Sequence, residues 1–534
     1  MHPSITGSQL LAGKESKSGT GRFRAVNPRT REPLPRSFSE ATPAEIDQAA
    51  QAAAAAYEEL GAYPASRLAA FLEGVAAQIE GLGDYLLQVA DEETGLGLPR
   101  LRGERARTTG QLRKFAALLR EGSYVQAIID TAQPEREPVP MPSIRRMLFP
   151  LGPVAVFSAS NFPFAFAVAG GDTASAFAAG CPVVVKGHPS HPATSELFGH
   201  AINQAVAAHG FPPGTFSLIQ GETVAVGQEL VRHPHIAAVA FTGSLRAGRA
   251  IYDAAAARPV PIPVYAEMGS TNPIVILPQA LATRSSEIAA GLVGSLTLGS
   301  GQFCTNPGLV FLLESADTEA FIAEVAGRMA AQEPGVLLNE RIESGLAATV
   351  AGTVGREGVE RLVGGEAVAD GPYCFANTVL RTTAATFAAE PALQVEHFGP
   401  VTLFVVAPSF AALQEAVGAL HGNLTAAVHA TDAEQELAGA LFHQLREKVG
   451  RLLWNGFPTG VEVVHAMQHG GPYPATTAPA TTSVGMTAIK RFLRPVAYQN
   501  VPDPLLPPAL QDDNPLGIWR IVDGQYTTAS LPAV

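Results

Sequence analysis

Cys304 lies in Gly299-Ser300-Gly301-Gln302-Phe303-Cys304-Thr305-Asn306-Pro307-Gly308, a turn of Gly, Ser, Asn and Pro, and is one of 3 cysteines in the chain. A thiol in such a turn is presented to its surroundings. As a thiolate it would attack an electrophilic carbon; the alternative is a small core hydrophobe, the ordinary use of a free cysteine. Other positions offer the chemistry an attacking thiol needs. Asn161, in Ser158-Ala159-Ser160-Asn161-Phe162-Pro163, carries an amide donor suited to a developing oxyanion; otherwise it is a turn residue. Glu267 follows an apolar approach in Tyr265-Ala266-Glu267-Met268-Gly269. Poor solvent there is expected to raise its pKa and make it a base near neutral pH, unless it partners an arginine.

Lys186 ends the apolar run Val183-Val184-Val185 and could anchor a hydroxyl or a phosphate, or lie at the surface. Thr242-Gly243-Ser244-Leu245-Arg246-Ala247-Gly248 reads as a strand-to-helix turn whose free N–H groups and positive dipole end suit a diphosphate. It is not G-x-G-x-x-G, and many glycine-rich turns only turn the chain. No metal is expected. His465 and His469 have i, i+4 spacing but no H-E-x-x-H glutamate, and Gly470-Gly471-Pro472 follows at once; His188 and His191 sit among prolines without a ligand cluster.

These groups require elements to hold them. From Val154 onward, short apolar runs (Val154 to Phe157, Val183 to Val185, Phe216 to Ile219, Ala238 to Phe241, Ile274 to Leu277) alternate with helical stretches. That texture predicts an α/β fold with parallel sheets covered on both faces, and ligands on such sheets lie beyond the carboxyl ends of the strands. A second α/β stretch, about Ser270 to Gly456, holds Cys304 and the strand-like Leu309 to Leu313 and Val401 to Val406. Thr42-Pro43-Ala44-Glu45 predicts a capped helix start. Further helices are expected over Arg67 to Ala90 and Glu104 to Arg120. Pro134 to Pro142 is a proline-punctuated connector between edge strands, and the tail after Pro495 is expected to be extended and packed on the surface.

At 534 residues the chain exceeds the roughly 250–300 at which single cores stop growing, so several domains are expected. A net charge of −12 argues against nucleic acid or an anionic membrane as the main partner. Three widely spaced cysteines without a CxxC pair fit a reducing compartment, and a cytoplasmic protein is expected.

Taken in order, Ser160-Asn161-Phe162-Pro163, Val185-Lys186, Phe241-Thr242-Gly243-Ser244 with Gly248, Ala266-Glu267-Met268-Gly269, Gly301-Gln302-Phe303-Cys304 and Glu396-His397-Phe398-Gly399-Pro400 resemble the NAD(P)-dependent aldehyde dehydrogenase superfamily. The resemblance runs from about Asn27 to Pro495. Arg145-Arg146-Met147-Leu148, Gly170-Gly171-Asp172-Thr173 and Cys181 to Pro189 are most similar to the branch of 2,5-dioxovalerate (α-ketoglutaric semialdehyde) and NADP-dependent fatty-aldehyde dehydrogenases.

The resemblance implies two parallel-sheet α/β domains and a small β oligomerisation arm. Residues 1–128 and 149–265 would form the dinucleotide-binding domain, 266–465 the catalytic domain, and 129–148 with 466–534 the arm and tail of a homodimer or homotetramer. It implies that Cys304 attacks the aldehyde, that Asn161 and the Cys304 N–H hold the oxyanion, and that Glu267 activates the water that releases the acid. Lys186 and Glu396 would contact the riboses, Phe398 the nicotinamide ribose, and Thr242, Gly243, Ser244 and Gly248 the diphosphate. Pro189 occupies the position where NAD-preferring members often carry a Glu, so NADP is expected to be accepted and preferred over NAD.

Phe162, Phe166, Phe303, Trp454 and Phe457 are candidates for the aldehyde entrance. Arg107 lies on the helix that faces the substrate tunnel in this family. Its guanidinium would pair with a substrate carboxylate and favour α-ketoglutaric semialdehyde over a fatty aldehyde; the alternative is a surface ion pair. A cysteine hydrolase is the competing enzyme class. It would need a histidine partner for Cys304, which no sequence motif supplies, and would leave the nucleotide features unused.

Overall fold

The computed structural model describes residues 3–531. Its apolar runs become two 7-stranded sheets, and a smaller 5-stranded sheet forms from other segments. In the first large sheet the spatial order is Val264–Glu267, Ala238–Thr242, Val154–Phe157, Val183–Lys186 and Phe216–Ile219, all parallel. Gln9–Leu11 then pairs antiparallel to Phe216–Ile219 at the edge. The chain runs outward from Val154–Phe157 to one side and later returns to lay Ala238–Thr242 on its other side. That reversal opens a crevice at the carboxyl ends of these two strands. The loop carrying Asn161 follows one of them, and the turn Thr242-Gly243-Ser244 follows the other.

The second large sheet has the order Glu360–Val363, Thr378–Thr383, Val401–Ala407, Leu309–Leu313, Ile274–Ile276, Thr425–His429 and Arg451–Trp454. Its strands are parallel except the antiparallel edge strand Glu360–Val363. Its site-bearing segments lie just ahead of strands: 267–273 before Ile274–Ile276, Cys304 before Leu309–Leu313, and 396–400 before Val401–Ala407. The carboxyl rim of the first sheet therefore meets the amino rim of the second. Val154, Val156, Val183 and Val185 are buried on one face of the first sheet, while Val275, Leu309, Phe311 and Leu403 are buried in the second. Strands buried on both faces give rigid rims.

The capping box at Thr42 forms, with Glu45 N–H donating to Thr42 and the Glu45 carboxylate accepting from the Thr42 N–H. The single helix expected over Arg67 to Ala90 is two, Ala65–Gly81 and Gly83–Thr94. Gly83, at φ +57°, takes the left-handed turn between them. The next helix is longer than expected and spans Leu98–Glu121. The segment expected to be an arm and part of the tail share one sheet, in the order Leu493–Gln499, Ile144–Pro150, Ile128–Asp130, Arg520–Val522 and Gln525–Thr527. The tail is thus more than extended packing: it supplies Arg520–Val522, Gln525–Thr527 and most of Leu493–Gln499, and Arg520 at the start of the first of these is buried. Among the described residues, no helix is long and apolar enough to cross a membrane.

Candidate active site

Cys304 is half-buried on its turn. The turn is held tightly: Gly301 has φ +68°, and a Cβ there would lie 2.2 Å from the Gly399 carbonyl carbon, so only glycine lets it rest on the Phe398-Gly399-Pro400 loop. Gln302 braces the turn by donating to Val336 O at 3.2 Å and accepting from the Leu338 N–H at 2.9 Å. Asn272, which the sequence reading missed, donates to Cys304 O at 2.8 Å and to Asn306 O at 2.9 Å. It takes φ +45°, a conformation in which asparagine is enriched among non-glycine residues. That, with its place between Ser-Thr and Pro, was the available signal.

Asn161 is buried and directs its Nδ2 to Gln302 O at 3.0 Å, beside the backbone of the Cys304 turn. Helix Leu98–Glu121 fixes this loop. Glu104 accepts from the Phe164 and Ala165 N–H groups at 2.8 and 2.9 Å, and Arg100 Nη2 donates to Asn161 O at 2.7 Å.

Glu267 ends its strand and is buried. His469 Nε2 lies 3.0 Å from Glu267 Oε1 and 3.5 Å from Cys304 Sγ, so the three form one cluster. Ser483 Oγ donates to the other oxygen of Glu267. Burial raises the Glu267 pKa, but His469, together with hydrogen bonds from Ser483 and Cys304, outweighs it and leaves the carboxyl below its ordinary value. This reverses the expectation of a raised pKa, because the carboxylate is buried beside a base rather than alone. Burial and the Glu267 charge push the Cys304 thiol well above its ordinary value.

His469 is also a correction. The 465–469 stretch is irregular rather than helical, with His465 exposed and His469 buried. His469 reaches a cysteine 165 positions away, which no local motif could reveal. The return segment bearing it is fastened to the first sheet's layer by a buried Arg491–Asp172 pair at 2.7 Å.

A cleft of about 620 Å³ opens over this cluster. Cys304, Glu267 and Asn161 line one end of it, with Glu396 and Phe398 alongside, and Thr242, Gly243 and Ser244 form its first-sheet wall. That volume is typical of a small-molecule site. Gly248 is buried under the turn, where a Cβ would strike Met268 at 2.6 Å, so it packs the helix rather than lining the cleft. Glu396 accepts weakly from the Ser270 N–H, and burial lifts its pKa to about 7. Lys186 is partly buried and donates to Gly221 O at 2.6 Å; burial lowers its pKa to about 8. A second cavity of about 290 Å³ shares Ser160, Arg341 and Ile342 with the first and contains Pro189 and Glu222. The exposed Arg341 pairs with Glu222 there at 3.1 Å.

Phe162 meets Phe303 edge-on at 5.1 Å and Phe166 at 5.3 Å, and Phe166 lies 6.4 Å from the His469 ring. Arg107 lies over Phe166 at 5.4 Å, and its buried Nε has no partner. Arg100, also missed from sequence, lies over Phe162 and Phe303 with an unpartnered Nη1. The structure does not bring Trp454 or Phe457 to this group. Trp454 stacks on Phe442 at 6.0 Å and is exposed on its edge strand, and Phe457, partly buried, packs on His429 at 4.9 Å against the core of the second large sheet.

A half-buried thiol beside an imidazole and a carboxylate lines a cleft walled by strand-end turns, on an α/β fold of parallel sheets. The chain belongs to the aldehyde dehydrogenase family, whose model matches residues 15–473. It is 48% identical over 523 residues to alpha-ketoglutaric semialdehyde dehydrogenase 2 of Azospirillum brasilense, covering 98% of this chain and 99% of that one. It is 43% identical over 521 residues to the alpha-ketoglutaric semialdehyde dehydrogenase of Acinetobacter baylyi, covering 98% and 99%. Among solved structures, betaine aldehyde dehydrogenase of Staphylococcus aureus in complex with NAD+ matches with a TM-score of 0.79 at 20% identity, covering 93% of this chain and 98% of that one. 3,6-Anhydro-L-galactose dehydrogenase in complex with NADP matches at 0.78 and 23%, covering 92% and 99%.

Proposed function

We propose that the chain oxidises α-ketoglutaric semialdehyde to 2-oxoglutarate with NAD(P)+, through a thiohemiacetal and a thioester on Cys304. The observation that carries the choice of substrate is Arg107, whose partly buried guanidinium has an unpartnered Nε beside Phe166 and lies within electrostatic reach of Cys304 and Glu267. A buried donor without a partner costs about 1–3 kcal/mol, and a substrate carboxylate would satisfy it in bidentate geometry. Fatty aldehydes offer it nothing. Both semialdehyde dehydrogenases matched along nearly their whole length support the same choice.

In this reading the resting nucleophile is a thiol. His469 Nε2, 3.5 Å away, takes its proton, and the Glu267 carboxylate at 3.0 Å stabilises the imidazolium. Sγ then attacks the aldehyde carbon. The Asn161 amide and the Cys304 N–H hold the oxyanion. A nicotinamide bound in the cleft supplies the hydride acceptor. Glu267 draws a proton from the water that hydrolyses the thioester, and His469 returns its proton to Sγ as the thiolate leaves. Glu396, Phe398, Lys186 and the Thr242–Ser244 turn would hold the cofactor. Pro189 leaves no carboxylate in its own position, and Arg341 offsets the charge of Glu222, which supports acceptance of NADP.

The Cys304–His469 pair is also what a cysteine hydrolase would need. The cleft beside it and the family membership favour oxidation. The edge strands Leu493–Gln499 and Gln525–Thr527 of the small sheet suit pairing with a second copy, as a homodimer or homotetramer. The test is NADH or NADPH formation from a panel of oxo acids and aliphatic aldehydes, each run with Cys304→Ser; acid release without cofactor reduction would overturn the reading.

A further inference from the structure

The cluster of Glu267, Cys304 and His469 combines a thiol, an imidazole and a carboxylate, whose ligand atoms all lie within 4.8 Å of one another. Among the described residues it is the one group of three with this property. A tetrahedral Zn²⁺, with Zn–S about 2.3 Å and Zn–N about 2.0–2.1 Å, separates sulfur from nitrogen by about 3.5 Å. Sγ and Nε2 are already 3.5 Å apart. The corresponding nitrogen–oxygen separation is about 3.4 Å, against 3.0 Å between Nε2 and Oε1, so a small opening of that pair suffices.

The supporting shell is partly in place. Ser483 Oγ holds the second oxygen of Glu267, and the His469 backbone N–H donates to Thr482 Oγ1 at 2.8 Å. Asn161, Thr242 and Glu396 line the same cleft as Cys304, so a fourth coordination position would open toward it. The other two cysteines lack such surroundings. Cys181 and Cys374 are buried, and their sulfurs contact the Phe492 and Pro334 carbonyls.

We propose that Cys304, His469 and Glu267 form a binding site for a thiophilic divalent cation, Zn²⁺ being the matching ion, and that its occupation reversibly blocks turnover. Binding forms Zn–S, Zn–N and Zn–O bonds; the thiol proton leaves to solvent, the imidazole coordinates in its neutral form, and nothing is oxidised or reduced. Three protein ligands and an open position resemble an exchangeable zinc site more than a closed structural one. His469 Nδ1 is buried without a partner. Lack of an outer-shell acceptor costs zinc sites about 10–100-fold in affinity. A chelator should therefore remove the ion. The block on turnover rests on the proposed role of Cys304, whereas the binding does not.

The test titrates the full-length, chelator-treated protein with ZnCl₂ by calorimetry and follows iodoacetamide labelling of Cys304 by peptide mass spectrometry. One Zn²⁺ per chain is expected, with Cys304 labelling slowed about tenfold or more and both labelling and turnover restored by EDTA. His469→Gln and Cys304→Ser should each weaken binding about 30-fold or more, and Co²⁺ should give a thiolate charge-transfer band that Cys304→Ser abolishes. Unchanged affinity in both variants, or full-rate labelling of Cys304 at saturating Zn²⁺, overturns the site. If either variant fails to fold, the cobalt band and the labelling of the unaltered chain decide. Zn²⁺ that binds and protects Cys304 while aldehyde oxidation proceeds unchanged supports the site and refutes Cys304 as the nucleophile.

Discussion

Replacing Arg107 by Ala separates the two substrate classes. The guanidinium lies over Phe166 at 5.4 Å, its Nε is buried and unpartnered, and the charge acting on it most strongly is Glu104. Glu104 uses Oε1 for the Phe164 and Ala165 N–H groups, and its buried Oε2 makes no hydrogen bond, to Arg107 or to any other group. A hydrogen bond to a charged group contributes about 1.5–3 kcal/mol, equivalent to roughly 10–150-fold in binding. Arg107→Ala should therefore raise KM for α-ketoglutaric semialdehyde by about 10–150-fold and leave KM for hexanal within about threefold. Since the free protein loses an unsatisfied buried donor, its Tm should stay level or rise. Initial rates by absorbance at the nicotinamide band, at saturating cofactor, read both constants, and Arg107→Lys should recover only part of the loss because it cannot make the fork. Equal effects on both substrates, or a fall in Tm with uniform loss of kcat, would refute the carboxylate-receptor argument.

Other consequences are equally direct. His469→Gln should lower kcat/KM by about 10²–10⁴-fold, the range for a lost general base, and slow Cys304 alkylation at neutral pH; an unchanged alkylation rate would remove His469 from proton transfer. Lys186, with its pKa lowered to about 8 by burial, is charged below that pH and loses its charge as pH rises through it. KM for the cofactor should accordingly climb above about pH 8, and Lys186→Gln should flatten that limb of the profile. Arg341→Ala should raise KM for NADP about tenfold, consistent with loss of one charged contact, while KM for NAD changes little; parallel changes would assign Arg341 no part in reading the 2′-phosphate.

The sequence by itself determined the elements and most of the parts. Short apolar runs buried on both faces could only become central strands, and positions immediately after or before them could only become rims. Asn161, Glu267, Thr242 and Cys304 were therefore legible from their neighbours. What only the tertiary structure decided was who faces whom. Phe303 turned toward Phe162 because Gly301 lets the turn fall against Gly399, whereas Trp454 and Phe457, equally aromatic, were claimed by Phe442 and His429. His469 had no local signal, since its chemistry is a long-range contact made when an irregular segment folds back and Arg491 locks onto Asp172. The same contact reversed the expected shift of Glu267. A carboxylate's pKa depends on the charges and donors within a few ångströms of it, and those are set by packing, not by sequence neighbours.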